Sequence, residues 1–374
     1  MRQLTNPKLA MRLLVVAVTA ACATSVAAEK APTFGDVLKA SGVDITGYID
    51  VTYTKFDTDA GLYQAYTTEK DSFNLNAIDL AVSKLPGAGA GGMIEVMAGE
   101  DTTFNASKGW NTENFDVLQA FAQYAFDGGF TLMGGKFTTL AGAEVAQQPT
   151  NANISRSLLY TNAIPVTHTG LRASYAPSDT LKFTVGYNNG WDIIKESAAG
   201  NCIGGTECAD GKTVELGVSF APVKMFGLTA AYYTGEEAGV TAVDTRNLLD
   251  IVATLNLTDA LSVVLNYDRG EQEAGTGTGG KAKWDGLAGY VNYKVSDALR
   301  ASLRAERFDD KDGYRTATVQ KLNEYTLTIG YSPAANLELR AELRQDKSDQ
   351  NVFVDGDNPT DKQQLVALEA VYKF

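Results

Sequence analysis

Residues 368–374 read LEAVYKF, and an apolar side chain occupies every second position back along this stretch. The apolar row comprises Val366, Leu368, Ala370 and Tyr372. An alternation of period two predicts a β-strand with one apolar face, and here the pattern runs as far as Phe374. Because the end of a chain is normally loose and solvated, we expect this strand to be held in a sheet.

The first 28 residues have the three-part pattern of a secretory signal peptide. Three basic residues precede the apolar run LLVVAVTAACA, and the small residues of SVAA mark the expected cut. A lipoprotein signal with Cys22 as the lipidated residue is the alternative, but Thr19 stands where such a signal has a Leu-like residue. We therefore predict a signal peptide at 1–28, a periplasmic N-terminal segment at 29–46 and a β-barrel domain at 47–374.

Composition narrows the class of protein. The 374 residues carry a net charge of −13 at pH 7, which argues against a nucleic-acid partner. The 36 glycines and 17 tyrosines are typical of a β protein with glycine turns and many aromatic residues. After the predicted signal peptide, no apolar segment approaches the roughly 20 residues of a membrane-spanning helix. If the protein lies in a membrane, it crosses with strands.

Alternation recurs along the whole chain after the predicted signal peptide. In NLELRAELRQ at 336–345, apolar and charged side chains sort onto opposite faces, as only a strand can sort them. We count about sixteen such segments, each near the roughly 9 to 11 residues that a tilted strand needs to cross a bilayer. They are predicted to begin near residues 47, 73, 90, 115, 130, 168, 181, 212, 226, 246, 261, 283, 298, 321, 336 and 362.

The connections between these segments alternate in length. Seven are short turns, and eight are long polar links at 57–72, 101–114, 140–167, 190–211, 236–245, 270–282, 309–320 and 345–361. This rhythm predicts an all-β, transmembrane, antiparallel up-and-down barrel with short periplasmic turns and long outer loops. At about sixteen strands the interior is too wide for wall side chains to fill, so a water-filled channel is expected.

A water-soluble β-sandwich also alternates apolar and polar residues, but it rarely needs so many strands. In a barrel the last strand must pair with the first, GYIDVTYTKF at 47–56, so Phe374 would close the wall. A final strand with Tyr372 and Phe374 also resembles the assembly signal that outer-membrane proteins present to their insertion machinery.

The charged side chains predicted to face inward are the candidates for setting which ions and solutes enter. The acids are Asp50, Asp79, Glu95, Glu215, Asp250, Asp268, Glu324 and Glu338. The bases are Lys136, Arg172, Lys182, Arg300, Arg304, Arg340 and Arg344. Pairing of neighbouring acids and bases across the wall is the alternative interpretation, and it suits the Glu338 to Arg344 ladder best.

Other motifs favour no chemistry. GTGTGGKA at 275–282 imitates a phosphate loop, but Ala282 replaces the required Ser or Thr and the context predicts no helix. The single histidine, His168, has no recognisable nucleophile elbow nearby, so no catalytic residue is predicted. One histidine and two cysteines that suit a disulfide provide too few ligands for a metal, and no cofactor is predicted. Cys202 and Cys208 are expected to form a disulfide, as suits an exported protein.

Four stretches resemble the β-barrel porin family whose members are called OmpL-like. They are GYIDVTY at 47–53, GKFTTLAGAEV at 135–145, ANISRSLLYTNAIPVTHTGLRASY at 152–175 and TVGYNNGWD at 184–192. The resemblance implies a Gram-negative outer-membrane barrel and passive diffusion of solutes. It carries over no substrate-binding residue, and the two-cysteine loop departs from the family pattern.

The third outer loop of a porin commonly folds inward, and the predicted loop 140–167 holds many apolar residues for a segment in water. We expect its apolar side chains to pack against the inner wall near the fifth to seventh strands, with Glu144 and Arg156 in the water path. The constriction candidates are Glu144, Asn151, Asn153, Ser155 and Arg156. A loop that only caps the barrel or contacts a neighbouring subunit is the alternative.

These patterns predict an outer-membrane porin that passes small hydrophilic solutes. Outer-membrane lipid and lipopolysaccharide, the insertion machinery and two further copies of the chain in a homotrimer are the expected partners. A soluble exported β-rich binding protein or adhesin is the second interpretation, and an outer-membrane barrel enzyme is the third.

Overall fold

The computed structural model describes residues 33–109, 114–195, 202–203, 207–208 and 210–374, and of 202–203 and 207–208 it describes the backbone alone. The predicted signal peptide, and so its boundary at residue 28, lies outside the described residues.

Sixteen strands form one closed barrel in which each strand pairs antiparallel with its neighbours in the chain. The barrel strands are β1 Asp44–Phe56, β2 Ser72–Lys84, β3 Gly89–Ala98, β4 Phe115–Ala125, β5 Phe130–Thr138, β6 Thr167–Ser178, β7 Leu181–Asn188, β8 Thr213–Val223, β9 Phe226–Ala238, β10 Val243–Asn256, β11 Leu261–Gln272, β12 Ala282–Lys294, β13 Leu299–Asp310, β14 Gln320–Ala334, β15 Leu337–Ser348 and β16 Lys362–Lys373. Each begins within three residues of its predicted start, because the lipid and the lumen impose the same period on every strand.

The connections alternate as predicted. The seven turns at one end of the barrel have two to four residues each. The outer loops at the other end are L1 57–71, L2 99–114, L3 139–166, L4 189–212, L5 239–242, L6 273–281, L7 311–319 and L8 349–361. L5 differs from the prediction of a long link at 236–245. Its four residues form a tight turn because β9 and β10 continue beyond the predicted strand ends.

The outward faces of the strands are apolar and the inward faces are polar. On β7 the outward row is Phe183, Val185 and Tyr187, all exposed, whereas Thr184 and Asn188 point inward and are buried. Exposed aromatic side chains near the short turns include Tyr124, Phe126, Phe130, Tyr175, Phe220, Tyr293, Tyr331 and Tyr372. A second group toward the long loops includes Phe73, Phe115, Tyr187 and Tyr325. Two aromatic girdles around an apolar band are the outer surface of a membrane barrel.

Pairing of β16 with β1 closes the barrel. The backbone N–H of Phe374 donates to the carbonyl of Gly47 at 3.0 Å, and the N–H of Gly47 donates to the carbonyl of Phe374 at the same distance. The aromatic ring of Phe374 lies over Gly47, where a β-carbon would come within 2.6 Å of it. The expectation that the last strand pairs with the first is therefore confirmed.

Several short elements surround the barrel. Helix α1, Phe34–Ser41, precedes β1; a capping box of Thr33 and Asp36 starts it, and Gly42 ends it in the left-handed conformation. Helix α2, Thr102–Asn105, lies in L2, and the hairpin Phe353–Asp355 with Asn358–Thr360 lies in L8. No helix among the described residues is long and apolar enough to span a membrane.

Two motifs singled out in the sequence lie in outer loops. Lys281 of the imitation phosphate loop sits in L6 and pairs with Glu271 at 3.0 Å and Glu273 at 2.6 Å, and a strand follows it. In L4 the backbone of Cys202 lies opposite that of Cys208 in a small hairpin whose two strands have two residues each. Their side chains lie outside the described residues, so the disulfide stays a prediction.

Candidate functional site

L3 runs through the interior of the barrel. It makes hydrogen bonds to side chains on opposite parts of the wall: Gln147 donates to Glu95 of β3 at 2.9 Å, and Ala143 donates through its backbone to Asn266 of β11 at 3.0 Å. It contains a 3₁₀ turn at Gln148–Thr150 and helix α3 at Leu158–Asn162. The loop, rather than the wall side chains, occupies the space that a sixteen-stranded barrel leaves open.

Two wall carboxylates hold the backbone of L3. Glu342 accepts hydrogen bonds from the N–H groups of Ile154 at 2.6 Å and Ser155 at 3.0 Å. Glu306 accepts from the N–H groups of Leu158 at 2.7 Å and Leu159 at 3.3 Å, at the start of α3. Bonds of this kind are strong because the acceptor is charged. The alternation places both glutamates on the inward face, but it carries no signal that a distant loop would meet them.

Two arginines of the wall, Arg304 and Arg344, also bind L3. Arg304 donates to the carboxylate of Glu144 at 2.7 Å, to the carbonyl of Ser155 at 2.8 Å and to Glu324 at 3.2 Å. Arg344 donates to the carbonyl of Arg156 at 2.5 Å. Two of the predicted wall arginines therefore bind L3.

Arg156 does not stand in a water path. Its side chain is 0 % exposed and donates to the carbonyls of Val145 and Ala146, each at 3.0 Å. The guanidinium carbon also lies 4.8 Å from the centre of the Tyr66 ring and 5.7 Å from that of Tyr160. The sequence could not show this, because the groups that enclose Arg156 come from L1 and from the fold of L3 itself.

The other constriction candidates are also buried. Glu144 accepts from the N–H of Ser157 at 2.7 Å, in addition to its bond with Arg304. Asn153 donates to the hydroxyl of Thr328 at 2.6 Å. The side-chain oxygen of Asn151 accepts a hydrogen bond from the backbone N–H of Val145 at 3.0 Å and so fixes the bend of the loop. Asn151 also lines a cavity of about 470 Å³ on the short-turn side.

The apolar side of L3 packs elsewhere than predicted. Leu158 and Leu159 belong to a buried cluster with Trp284 of β12, Phe308 of β13 and Leu322 of β14, so for these two residues the expected contact with the fifth to seventh strands is wrong. Trp284 also donates through its indole nitrogen to the carbonyl of Ala163 at 3.1 Å. The cause is the length of L3, which lets α3 reach the far wall.

Two of the three predicted bases on β5 to β7 are held in ion pairs and are not free to set up a field across the lumen. Lys136 pairs with Asp116 at 2.9 Å, and Arg172 pairs with Glu215 at 2.7 Å. Lys182 shares the inward register of Thr184 but is exposed close to the short turn. Lys136 and Arg172 therefore fit the alternative interpretation, in which neighbouring acids and bases pair across the wall.

The remaining wall residues follow the predicted register. Arg300 and Arg340 pair with Glu338 at 2.5 and 2.8 Å. The inward-facing and buried acids include Asp50, Asp79, Glu95, Asp250 and Asp268. Of these, Asp50, Asp79, Asp250 and Asp268 each have at least one buried carboxylate oxygen that finds no hydrogen-bond partner among the described residues.

A polar cluster joins L1, L2 and L3 with Asn76 of β2. The hydroxyl groups of Tyr66 and Tyr160 lie 2.8 Å apart, and Asn76 donates to Asp101 at 2.9 Å. Burial raises the pKa of Asp101 to about 6, although the bond from Asn76 and the charge of Arg156 oppose this shift. Burial also raises the pKa of Tyr160, so its hydroxyl stays neutral. The cluster fixes L3 from the outer side.

Solved structures share this architecture. The outer membrane channel DcaP of Acinetobacter baumannii is 15 % identical, with a TM-score of 0.60, and the match covers 89 % of this chain and 97 % of that one. The anion-selective porin from Comamonas acidovorans is 12 % identical, with a TM-score of 0.61, and the match covers 89 % and 99 %. OmpF of Salmonella typhi, in complex with daunomycin, is 15 % identical, with a TM-score of 0.59, and the match covers 89 % and 97 %.

At this level of identity the structures show the fold, whereas membership follows from the sequence family. A comparison with curated proteins finds no significant match. The model of one family, described as "Putative beta-barrel porin-2, OmpL-like", matches residues 42–374. The chain belongs to this family and is a porin of the outer membrane.

Proposed function

We propose that this porin passes small hydrophilic solutes by passive diffusion and that L3 sets the narrowest section of the route. The observation that carries the proposal is the attachment of L3 to two separate parts of the wall, to Glu95 of β3 and to Glu306, Glu342 and Arg304 of β13 and β15. A loop held at several points keeps a defined width, as size selection requires. The family and the fold are those of channels rather than enzymes.

The constriction candidates take different parts in this proposal. Glu144, Asn153, Ser155 and Arg156 hold the loop in place, because their polar atoms bond to the wall or within L3. Asn151, next to the cavity, is the candidate that solutes would meet. We assign selection by charge to wall groups other than Glu306, Glu342, Arg304 and Arg344, which bind L3.

The assembly and partners of the chain are also proposals. OmpT of Vibrio cholerae has been described in a trimer form, and its fold matches this one with a TM-score of 0.58. We propose a homotrimer in contact with lipid and lipopolysaccharide through the apolar band. We also propose that Tyr372 and Phe374 present β16 to the insertion machinery, since both side chains are exposed on the outer face.

Shortening L3 tests the central proposal. Replacing residues 143–156 by a short Gly-Ser linker removes Glu144 and Arg156 together with the segment bonded to Glu342. We expect the single-channel conductance to increase and larger sugars to enter in liposome-swelling assays, because water replaces the part of L3 that fills the lumen.

A matched deletion in L6 is the control. Residues Gly277–Gly280 are exposed in that loop, so their removal should leave conductance unchanged. If the L3 variant assembles and conducts like the unaltered protein, then L3 does not limit the route and the proposal is wrong.

A further inference from the structure

A cavity of about 420 Å³ lies on the short-turn side, between the tip of L3 and strands β1 to β3. Exposed Thr46 and Lys373 stand at its mouth. Asp79, which is 3 % exposed, and Glu95, which is 2 % exposed, line its interior with Tyr48. The cavity therefore leads from the periplasmic rim to two enclosed carboxyl groups.

The two acids approach each other because of strand register. Asp79 of β2 lies opposite Met97 and Ala81 lies opposite Glu95, so Asp79 and Glu95 are diagonal neighbours on the inward face. Like charges at such positions repel each other unless a positive charge lies between them or near them.

The carboxylate of Asp79 has no partner within the described part of the chain. Its Oδ2 is buried without a hydrogen-bond partner. Among the described residues, neither Asp79 nor Glu95 forms an ion pair with a basic side chain. This distinguishes them from Glu324 of β14 and Asp346 of β15, which both pair with Arg344.

Glu95 is already oriented by neutral donors. Its oxygens accept from the amide of Gln119 at 2.6 Å and from the amide of Gln147 at 2.9 and 3.1 Å. These bonds hold the carboxylate in place but add no positive charge. A buried carboxylate pair in this state is unfavourable until it gains a cation or a proton.

We propose that this cavity binds a partly hydrated inorganic cation between Asp79 and Glu95, as a selective step in permeation. The atoms that would coordinate the cation are carboxylate oxygens, which are hard ligands that suit alkali and alkaline-earth cations. A volume of about 420 Å³ leaves room for several waters around the ion, since each occupies roughly 30 Å³. This inference rests on the proposed channel function and names the ion class that one part of the lumen would favour.

Planar-bilayer recordings test the inference with the variant Asp79→Asn. Asparagine keeps the size of the side chain, and among the residues that the structure describes the Asp79 carboxylate makes no hydrogen bond that the change would break. We expect the potassium over chloride permeability ratio, measured from the reversal potential in a KCl gradient, to fall by about twofold or more. Block of the potassium current by Mg²⁺ added on the periplasmic side should weaken by about tenfold, because one of the two attracting charges is lost.

Asp259→Asn is the matched control. Asp259 is an exposed acid at the same short-turn end of the barrel. It lines the cavity of about 470 Å³ next to Asn151 rather than the cavity of Asp79, so removal of its charge should leave the Mg²⁺ block unchanged. Glu95→Gln is a second variant that should weaken the block even if Asp79→Asn assembles poorly. Lys373→Gln should strengthen the block, since it removes the positive charge at the mouth.

The outcomes separate this inference from the proposed function. If Asp79→Asn and Glu95→Gln conduct with unaltered selectivity and Mg²⁺ block, then a proton neutralises the pair and the cation site is wrong, although the channel stands. An unaltered protein that conducts but shows no Mg²⁺ block would also overturn the site. An unaltered protein that inserts without conducting would instead refute the channel.

Discussion

At the scale of the residue, single wall carboxylates decide where L3 lies. Glu342 bonds to two consecutive backbone N–H groups of the loop and to the hydroxyl of Thr328 at 2.7 Å. Burial excludes water from these bonds, so no solvent molecule can replace a lost acceptor. The position of a long loop thus depends on a few side chains that lie far from it in the sequence.

Glu342→Gln is expected to loosen L3. The amide group of Gln would turn an N–H toward Ile154 or Ser155, which leaves one buried donor unsatisfied at a cost of about 2 kcal/mol. The released loop should be populated about 30-fold more often. Trypsin cleavage after Arg156, followed by mass spectrometry, measures this population.

Glu100→Gln is the control for that change, because Glu100 is an exposed acid of L2. It should leave the cleavage rate as it is. Equal rates in the Glu342→Gln variant and the unaltered protein would mean that Glu342 does not hold the loop.

At the scale of the element, each strand separates lipid from lumen by alternation alone. Val185 of β7 is 54 % exposed on the outward row, between Thr184 and Gly186 on the inward row. A strand of this kind tolerates many apolar residues outside but no charge near the middle of the bilayer.

Val185→Lys should reduce the stability of the folded barrel by about 2 to 4 kcal/mol, because the new charge would lie in the apolar band. Urea titration of the protein in lipid vesicles, followed by the heat-modifiable gel shift, measures the change.

Val240→Lys provides a matched comparison, since Val240 is 50 % exposed but lies in the outer turn L5. Its effect should stay within about 0.5 kcal/mol. Similar losses at both positions would show that β7 does not face lipid at Val185.

At the scale of the whole molecule, closure depends on the close contact of β1 with its neighbours. A β-carbon on Gly47 would lie 2.5 Å from the carbonyl oxygen of Asp79 and 2.6 Å from the ring of Phe374. The ring can turn aside, but the carbonyl oxygen belongs to the paired strand β2 and cannot.

Gly47→Ala should therefore lower the yield of heat-modifiable, closed barrel and destabilise it by about 1 to 3 kcal/mol. Gly289→Ala on β12 is the same substitution at a site where the nearest atom, on Leu265, is 3.6 Å away, so it should be tolerated. Equal yields of the two variants would contradict a tight seam at Gly47.

Much of this fold could be predicted from short stretches of sequence. The alternation of β15 and the turn at 335–336 are local patterns, and they placed Arg340 and Arg344 on the inward face. The prediction of a long L5 is wrong because polar residues of β9 and β10 extend beyond the membrane, where a period of two no longer reflects lipid contact.

The sequence by itself determined the barrel, its strand order and the face on which each side chain lies, because a period of two acts between immediate neighbours. The tertiary structure alone decided the lumen. Arg156 is enclosed by Tyr66 and by the carbonyls of its own loop, and Glu144 meets Arg304 across 160 residues of chain. Which wall groups remain unpaired, as Asp79 does, depends on where L3 lies, and no local pattern records contacts over that separation.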